Sequence, residues 1–197
     1  MPSSTAATGR HDDSPVAVLL PGSGYTAQAP LLAWSAALLA ERGWHVEVVR
    51  WVLDDEAGAD PGAFVEREAT GAAEAARASG ARGPLHVVAK SLGTLALPWA
   101  VRLGVPGAWL TPLSTEPALR GALAAAGPEH LLVGGGDDGW WRPDELPATR
   151  AEVVTVPGAD HGLTLTTSWR ASLAAQADVF ERVDAWAAAR VAAVAAR

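Results

Sequence analysis

The sequence predicts an α/β fold in three layers, a mainly parallel β-sheet with helices on both faces. Short apolar runs alternate along the chain with longer segments that carry apolar residues at helical spacing. Several of these runs end in turns that contain Gly or Pro. Strands that alternate with helices at this interval form a parallel sheet covered on both faces. Ligands bind such sheets beyond the carboxyl ends of the strands, so we expect the chemistry in the segments that follow the strands.

The elements follow one another in regular order. Strands are predicted at 16–20, 46–52, 85–89, 108–111, 130–133 and 152–156. Helices are predicted from Pro30 to the glycine at 43, and at 60–79, 92–103, 116–126 and 168–196. Pro98 lies inside one of these helices and predicts a kink or an early end there.

Length and composition favour one globular domain. The chain has 197 residues, of which 49% are hydrophobic, and residues 15–197 are predicted to form a single domain after a loose tail at residues 1–14. That tail lacks the basic start and apolar run of a signal peptide, and no apolar stretch reaches the roughly 18 residues of a membrane span. We therefore expect a cytoplasmic protein.

Charge and cysteine content exclude several function classes. A net charge of −7 provides no basic surface for phosphate backbones or anionic lipid, so neither nucleic acid nor membrane is an expected partner. The absence of cysteine excludes disulfides, thiolate metal sites and a cysteine nucleophile. No two histidines have metal-ligand spacing, and no metal or cofactor is expected.

The pentapeptide Ala89-Lys-Ser91-Leu-Gly93 lies where a strand passes directly into a helix. A nucleophilic serine held in such a turn needs small residues two positions before and two after it, because strand and helix approach closely. Ala89 and Gly93 meet that requirement. Taken alone, Ser91 is equally well explained as a serine that caps a helix.

Two later loops supply the partners that a nucleophilic serine needs. The strand at 130–133 is followed by Gly-Gly-Gly-Asp137-Asp138, and the strand at 152–156 is followed by a loop that contains His161. All three groups fall at one edge of the predicted sheet. A histidine base requires a carboxylate that fixes its tautomer, so Ser91, His161 and one of the two aspartates form a chemically sensible set.

Together these segments resemble the α/β-hydrolase superfamily, particularly its small bacterial members without a cap domain. The resemblance covers about residues 16 to 190 and implies the chain order serine, acid, histidine. The family pattern G-x-x-D points to Asp137 as the acid, which we favour, while the repeated glycines keep Asp138 as the alternative. No cap fits between the strand at 108–111 and the next helix, because too few residues separate them.

The resemblance also implies an oxyanion hole and a pocket. Its donors would be the backbone N–H of Leu92 and that of Ser23 or Gly24 in the Gly-rich loop after the first strand. Tyr25 would present its hydroxyl to a ligand or pack under that loop. Trp140 and Trp141 are the best candidates for a pocket wall, because they lie beside the loop that carries Asp137 and Asp138, the acid loop.

Lys90 precedes the nucleophile and has two possible roles. It attracts an anionic group of the substrate or lowers the pKa of its neighbours, or it forms a surface ion pair, which is the simpler interpretation.

The resemblance implies a serine hydrolase that cleaves a carboxylic ester, thioester or lactone through an acyl-enzyme on Ser91, with a small-molecule or carrier-linked acyl substrate. A hydrolase-fold protein that catalyses acyl transfer or cyclisation, or that only binds a small molecule, is the alternative. The segment Gly22-Ser-Gly-Tyr-Thr-Ala27 also fits a dinucleotide-binding pattern. A late helix start and the lack of an acidic residue at the end of the next strand, about 20 residues on, count against that oxidoreductase.

Overall fold

A computed structural model describes residues 13–195 of the chain, so most of the predicted tail lies outside the described residues. Six strands form one sheet in the order β2-β1-β3-β4-β5-β6, and all neighbouring strands pair in parallel. The strands are β1 (Val16–Leu20), β2 (His45–Val48), β3 (Leu85–Lys90), β4 (Gly107–Leu110), β5 (His130–Gly135) and β6 (Glu152–Val156).

The helices occupy both faces of the sheet, as predicted. They are α1 (Pro30–Glu41), α2 (Asp55–Ala59), α3 (Pro61–Ala78), α4 (Leu97–Leu103), α5 (Pro117–Leu123) and α6 (Trp169–Ala195). One apolar core lies between the sheet and α1 and α6, and the other lies between the sheet and α3, α4 and α5. Alternate residues of the central strands point into the two cores. Leu19 and Val88 enter one core and Leu20 and Val87 the other.

The strand order creates a crevice at the carboxyl edge of the sheet. From β1 the chain passes outward to β2 on one side, and from β3 it continues through β4, β5 and β6 on the other side. The segments that follow β1 and β3 therefore diverge, although the two strands are neighbours. Such a switch in direction is where open α/β sheets bind ligands.

Strand β2 ends earlier than the sequence predicted, at Val48 rather than at Val52. Among the described residues, β2 pairs with β1 alone, and the last ladder bond runs from the N–H of Val49 to the carbonyl of Leu19. Beyond Leu20 the chain continues with Pro21, which has no N–H to donate. The apolar residues after Val48 therefore have no strand to pair with, and the short helix α2, which was not predicted, follows them.

The segment after Ser91 also differs in detail from the predicted single helix. A 3-10 helix spans Ser91–Ala96, and α4 begins at Leu97 with Pro98 in its first turn. Proline is tolerated there because the N–H groups of a first turn have no partner within the helix. Among residues 13–195, no helix is long and apolar enough to cross a bilayer.

Candidate active site

Ser91 lies in a strained turn between β3 and the 3-10 helix. Its φ angle is +53°, in the left-handed region that L-residues other than glycine seldom adopt. Two residues later, Gly93 passes against β1, and its N–H donates to the carbonyl of Pro21. A Cβ at position 93 would lie 2.5 Å from the carbonyl oxygen of Leu20, so only glycine allows this approach. The close packing holds the Ser91 side chain out at the carboxyl edge of the sheet.

Three side chains form a continuous hydrogen-bonded chain at this edge. Nε2 of His161 lies 2.8 Å from Oγ of Ser91, and Nδ1 of His161 lies 2.7 Å from Oδ2 of Asp138. An ionised carboxylate can only accept, so Nδ1 carries the hydrogen and Nε2 is free to accept the proton of the serine hydroxyl. This is the arrangement that an imidazole base requires.

The prediction that Asp137 is the carboxylate partner of His161 is wrong, because Asp138 occupies that position. Asp138 is only 3% exposed and accepts a hydrogen bond from the imidazole, whereas Asp137 is exposed and donates its backbone N–H to the carbonyl of Ala159. Strand β5 continues to Gly135, two residues beyond the predicted end at Val133. The turn that follows is closed by the N–H of Asp138 on the carbonyl of Gly135, so the pattern G-x-x-D applies from the second glycine.

A second carboxylate shapes the loop that carries His161. Asp160 accepts hydrogen bonds from the N–H groups of Gly162 and Thr164 and from the hydroxyl of Thr164. Burial opposes ionisation, but these hydrogen bonds and the nearby His161 outweigh it and lower the pKa of Asp160. On the other side, Nε2 of Gln176 in α6 donates to the carbonyls of Gly162 and Leu163. The imidazole is therefore held by a loop with bonds on both sides.

An open cleft of about 740 Å³ lies in front of Ser91 and His161. Ser23, Gly24 and Leu92, the predicted oxyanion residues, all line it. The N–H of Leu92 lies in the first turn of the 3-10 helix, where the helix itself offers no acceptor. The N–H of Gly22 is already used by the carbonyl of Tyr25, which leaves the next residues of the loop as candidate donors.

The predicted aromatic residues have different roles in the structure. Tyr25 lines the cleft, but its hydroxyl accepts the N–H of Leu31 at the start of α1. Burial raises the pKa of Tyr25 despite this hydrogen bond. Trp140 also lines the cleft and is 50% exposed, whereas Trp141 is buried against Gly134 and donates to the hydroxyl of Thr155. Of the adjacent pair, Trp140 alone faces the cleft.

Within residues 13–195, no ion pair is formed by Lys90, contrary to the simpler interpretation of its role. Its side chain lines the cleft, is only 4% exposed, and places Nζ 4.6 Å from the centre of the Tyr25 ring. Burial lowers the pKa of Lys90 from 10.5 to about 8, although Asp138 and Asp160 raise it in part. Lys90 is thus a buried cation beside the nucleophile.

Two hydroxyl groups that support the site were not predicted. Thr94 donates to the carbonyl of Ser91 and accepts the N–H of Leu113. Ser114, after β4, donates to the carbonyl of Trp140 and accepts the N–H of Arg142. The backbone N–H of Trp140 in turn donates to Oδ1 of Asp138. Isolated Ser and Thr residues carry no pattern in the sequence, so only the fold reveals these contacts.

The dinucleotide alternative has little support in the geometry of the first loop. Helix α1 begins only at Pro30, well after Gly22 and Gly24, so its N-terminus does not meet the glycines as a pyrophosphate site requires.

Within residues 13–195, no three His, Cys, Asp or Glu side chains are placed to hold a metal ion.

Comparison with known proteins identifies the fold. No protein-family model matches the chain, and no curated protein does either. Among solved structures, an α/β serine hydrolase homologue from Coxiella burnetii is 14% identical with a TM-score of 0.64, and covers 87% of this chain and 83% of its own. A serine hydrolase without a lid from Xanthomonas campestris is 17% identical (TM-score 0.62; 87% and 80% covered). A dienelactone hydrolase from Anabaena variabilis is 18% identical (TM-score 0.61; 88% and 85%).

These neighbours share with the present chain the parallel sheet and its helical layers over most of both lengths. In the present chain, residues 111–116 alone connect β4 to α5, so no cap is inserted there. The protein therefore has the α/β-hydrolase fold, in its form without a cap domain.

Proposed function

We propose that the protein is a serine hydrolase that cleaves a carboxylic ester, thioester or lactone through an acyl-enzyme on Ser91. The observation that carries the proposal is the hydrogen-bonded chain from Ser91 through His161 to Asp138. A serine that only caps a helix would not require a hydrogen bond to a histidine. A histidine that only packs in the structure would not require a buried carboxylate on its other nitrogen. The strained φ of Ser91 supports the same conclusion, because such strain is concentrated at reactive sites.

The chemistry follows from the contacts. As Oγ of Ser91 attacks the acyl carbon, its proton passes to Nε2 of His161, and Asp138 stabilises the imidazolium through Nδ1. The N–H of Leu92 and one from Ser23 or Gly24 stabilise the oxyanion. Collapse of this intermediate expels the alcohol or thiol, which takes the proton from His161. Water then attacks the acyl-serine in the same way and releases the acid.

The cleft suits compact acyl groups or an acyl group that projects from a larger partner. No cap stands between β4 and α5, and the walls are short loops and helix starts, together with the half-exposed Trp140. The structural neighbours include proteins described as a dienelactone hydrolase and an esterase, which act on bonds of this class.

Labelling with a fluorophosphonate probe tests the proposal. We expect stoichiometric labelling of Ser91, because a serine with an imidazole base and an oxyanion hole is far more nucleophilic than an ordinary hydroxyl. Ser91→Ala should abolish labelling, whereas Ser79→Ala, at an exposed position at the end of α3, should not affect it. Absence of labelling in folded wild-type protein, or labelling of a different serine, would refute the proposal.

A further inference from the structure

Lys90 is the only lysine in a chain that has 15 basic residues, the others being arginines. It ends β3, directly before Ser91, and lines the cleft. Lys90 is only 4% exposed, so most of the side chain is removed from water and its ammonium group can be reached only from the cleft. Burial of a charge is costly unless another group compensates for it.

The protein compensates for this charge only in part. The ammonium lies over the face of the Tyr25 ring, a favourable but modest contact. Among residues 13–195, no hydrogen bond or ion pair reaches Nζ. Asp138 and Asp160 attract the ammonium electrostatically without contacting it. The oxygens of Asp138 are bonded to His161 and Trp140. Those of Asp160 are bonded within the loop that carries His161, the base loop.

The other charged groups of the cleft are acidic and lie nearer to solvent. Asp60 is exposed and caps α3, and Glu116 is half-buried before α5. A negative charge close to Lys90 is attracted, whereas one close to Asp60 or Glu116 is repelled. The cleft therefore discriminates by the position of a charge along the substrate.

We propose that the substrate carries a carboxylate close to its scissile bond, and that Lys90 binds this carboxylate. The proposal rests on the serine-hydrolase function proposed above and defines its substrate class. A bound carboxylate would supply the ion pair that the protein itself withholds from Lys90, and it would fix the acyl group beside Ser91. An ammonium bonded to a carboxylate is among the stronger polar contacts in a dehydrated site.

The titration of Lys90 agrees with this role. With a pKa near 8, the group is mainly charged at neutral pH, and the preference for a carboxylate should fade as the pH rises through about 8. The groups that face Lys90 are Tyr25 from the loop after β1, Asp138 from the acid loop and Asp160 from the base loop. Asp60 and Glu116 belong to the same cleft.

Matched substrate pairs test the proposal by kinetics. One pair is 4-acetoxybenzoate and 4-acetoxybenzamide, with the charge on the leaving group. The other is the 4-nitrophenyl ester of adipic acid and of its monoamide, with the charge on the acyl group. In at least one pair, we expect the ratio of kcat/KM, carboxylate over amide, to fall about tenfold or more in Lys90→Gln and in Lys90→Met. An unchanged ratio in both pairs would refute the proposal and assign Lys90 a purely electrostatic role at the triad.

Binding can be measured without turnover. Because the chain has one lysine, Ser91→Ala protein labelled isotopically at lysine Cε gives one side-chain NMR signal whose titration reports on Lys90. We expect the carboxylate of the pair that shows the kinetic preference to raise the titration midpoint, and the matching amide to leave it unchanged. The proposal would be contradicted if the carboxylate and the amide shifted the titration midpoint equally, or if neither shifted it. Fluorophosphonate labelling of the wild type separately shows whether the hydrolase assignment itself holds.

Discussion

Asp137 and Asp138 are adjacent in the chain, but their side chains have very different surroundings. Asp138 is buried, with Oδ2 on His161 and Oδ1 on the N–H of Trp140. Asp137 faces solvent. A carboxylate with both oxygens engaged fixes the imidazole in one tautomer and one orientation, whereas an exposed neighbour contributes only to the turn.

Replacement of each aspartate by asparagine separates these roles. Asp138→Asn should lower kcat on the order of a thousandfold or more, because the amide can donate to Nδ1 and favours the wrong tautomer. Asp137→Asn should cost less than about tenfold, and it serves as the control because it changes the same loop by the same atoms. Kinetics on a reactive ester, with matched melting temperatures, would measure both. A larger loss in Asp137→Asn would exclude the observed arrangement as the catalytic one.

The sequence could predict the serine, the histidine and the loop of the acid, but not the register within that loop. Three consecutive glycines allow two aspartates to satisfy the same pattern. What decides between them is the length of β5, which extends to Gly135 because β6 continues to pair with it as far as Val156. Pairing between two strands is a tertiary property, and the sequence around Gly134 and Gly135 carries no local sign of it.

At the level of elements, strain is concentrated where strands end. In the described part of the chain, the non-glycine residues with positive φ are Ser91, Thr111 and Leu163. Ser91 follows β3, Thr111 follows β4, and Leu163 lies in the base loop after β6. All of them lie at the carboxyl edge, so the sheet and helices stabilise conformations that their own residues disfavour.

At the turn that carries Ser91, which we call the elbow, glycine should be more stable than alanine. Ser91→Gly and Ser91→Ala both delete the nucleophile, but only glycine adopts a φ of +53° without strain. After the greater freedom of glycine in the unfolded chain is subtracted, we expect Ser91→Gly to exceed Ser91→Ala by about 1 kcal/mol in free energy of unfolding. Chemical denaturation would measure this difference.

A helical alanine provides the control for that comparison. Ala75→Gly, at an exposed position in the last turn of α3, should lower the free energy of unfolding by up to about 1 kcal/mol, opposite in sign to the effect at the elbow. If glycine were also the less stable choice at position 91, the left-handed conformation would not be a source of strain.

Elements with strong periodic patterns were predicted well, and elements that depend on their neighbours were not. Strands β1 and β6 have the predicted bounds, and α3 begins at the predicted Asp60-Pro61, where the Asp60 carboxylate accepts the N–H of Ala63. By contrast, β2 was predicted too long because its pairing is limited by Pro21 in another segment. The local sequence thus predicted that a strand is present, but it did not predict the length of that strand.

For the whole molecule, the buried charge of Lys90 should make stability depend on pH. Its pKa of about 8 in the folded protein lies below the value of 10.5 for an exposed lysine, so the folded state disfavours the proton. The resulting cost is fully present below about pH 8 and disappears above about pH 10.5. Lys90→Met retains the apolar stem without the charge. It should exceed the wild type at pH 7 by about 1–2 kcal/mol, which allows for screening by solvent in the cleft.

Thermal unfolding of both proteins between pH 7 and pH 10.5 would measure this effect. Arg102→Met is the control, since it removes an exposed arginine that pairs with Glu66 and stays protonated throughout this range. Its difference from the wild type should not vary with pH. A constant difference for Lys90→Met as well would show that the pKa of Lys90 is not lowered.

The overall architecture could be predicted because the α/β alternation extends along the whole described chain. Apolar runs of four to six residues correspond to the central strands, buried on both faces. The surroundings of Lys90 could not be predicted, because the sequence shows only a charged residue next to the serine. Its burial follows from the loop that carries Tyr25, which packs over it only once β1 and β3 are paired.

The short connection at residues 111–116, which leaves the cleft uncovered, has a consequence for the acyl-enzyme that we propose on Ser91. With no cap to exclude other molecules, an alcohol or amine dissolved in the medium can reach the acyl-serine by the same route as water. The partition between hydrolysis and transfer would then follow the concentration and nucleophilicity of each acceptor. In such a protein, the composition of the surroundings would select the product, and the same cleft would act as a hydrolase in dilute solution and as an acyltransferase where acceptors are abundant.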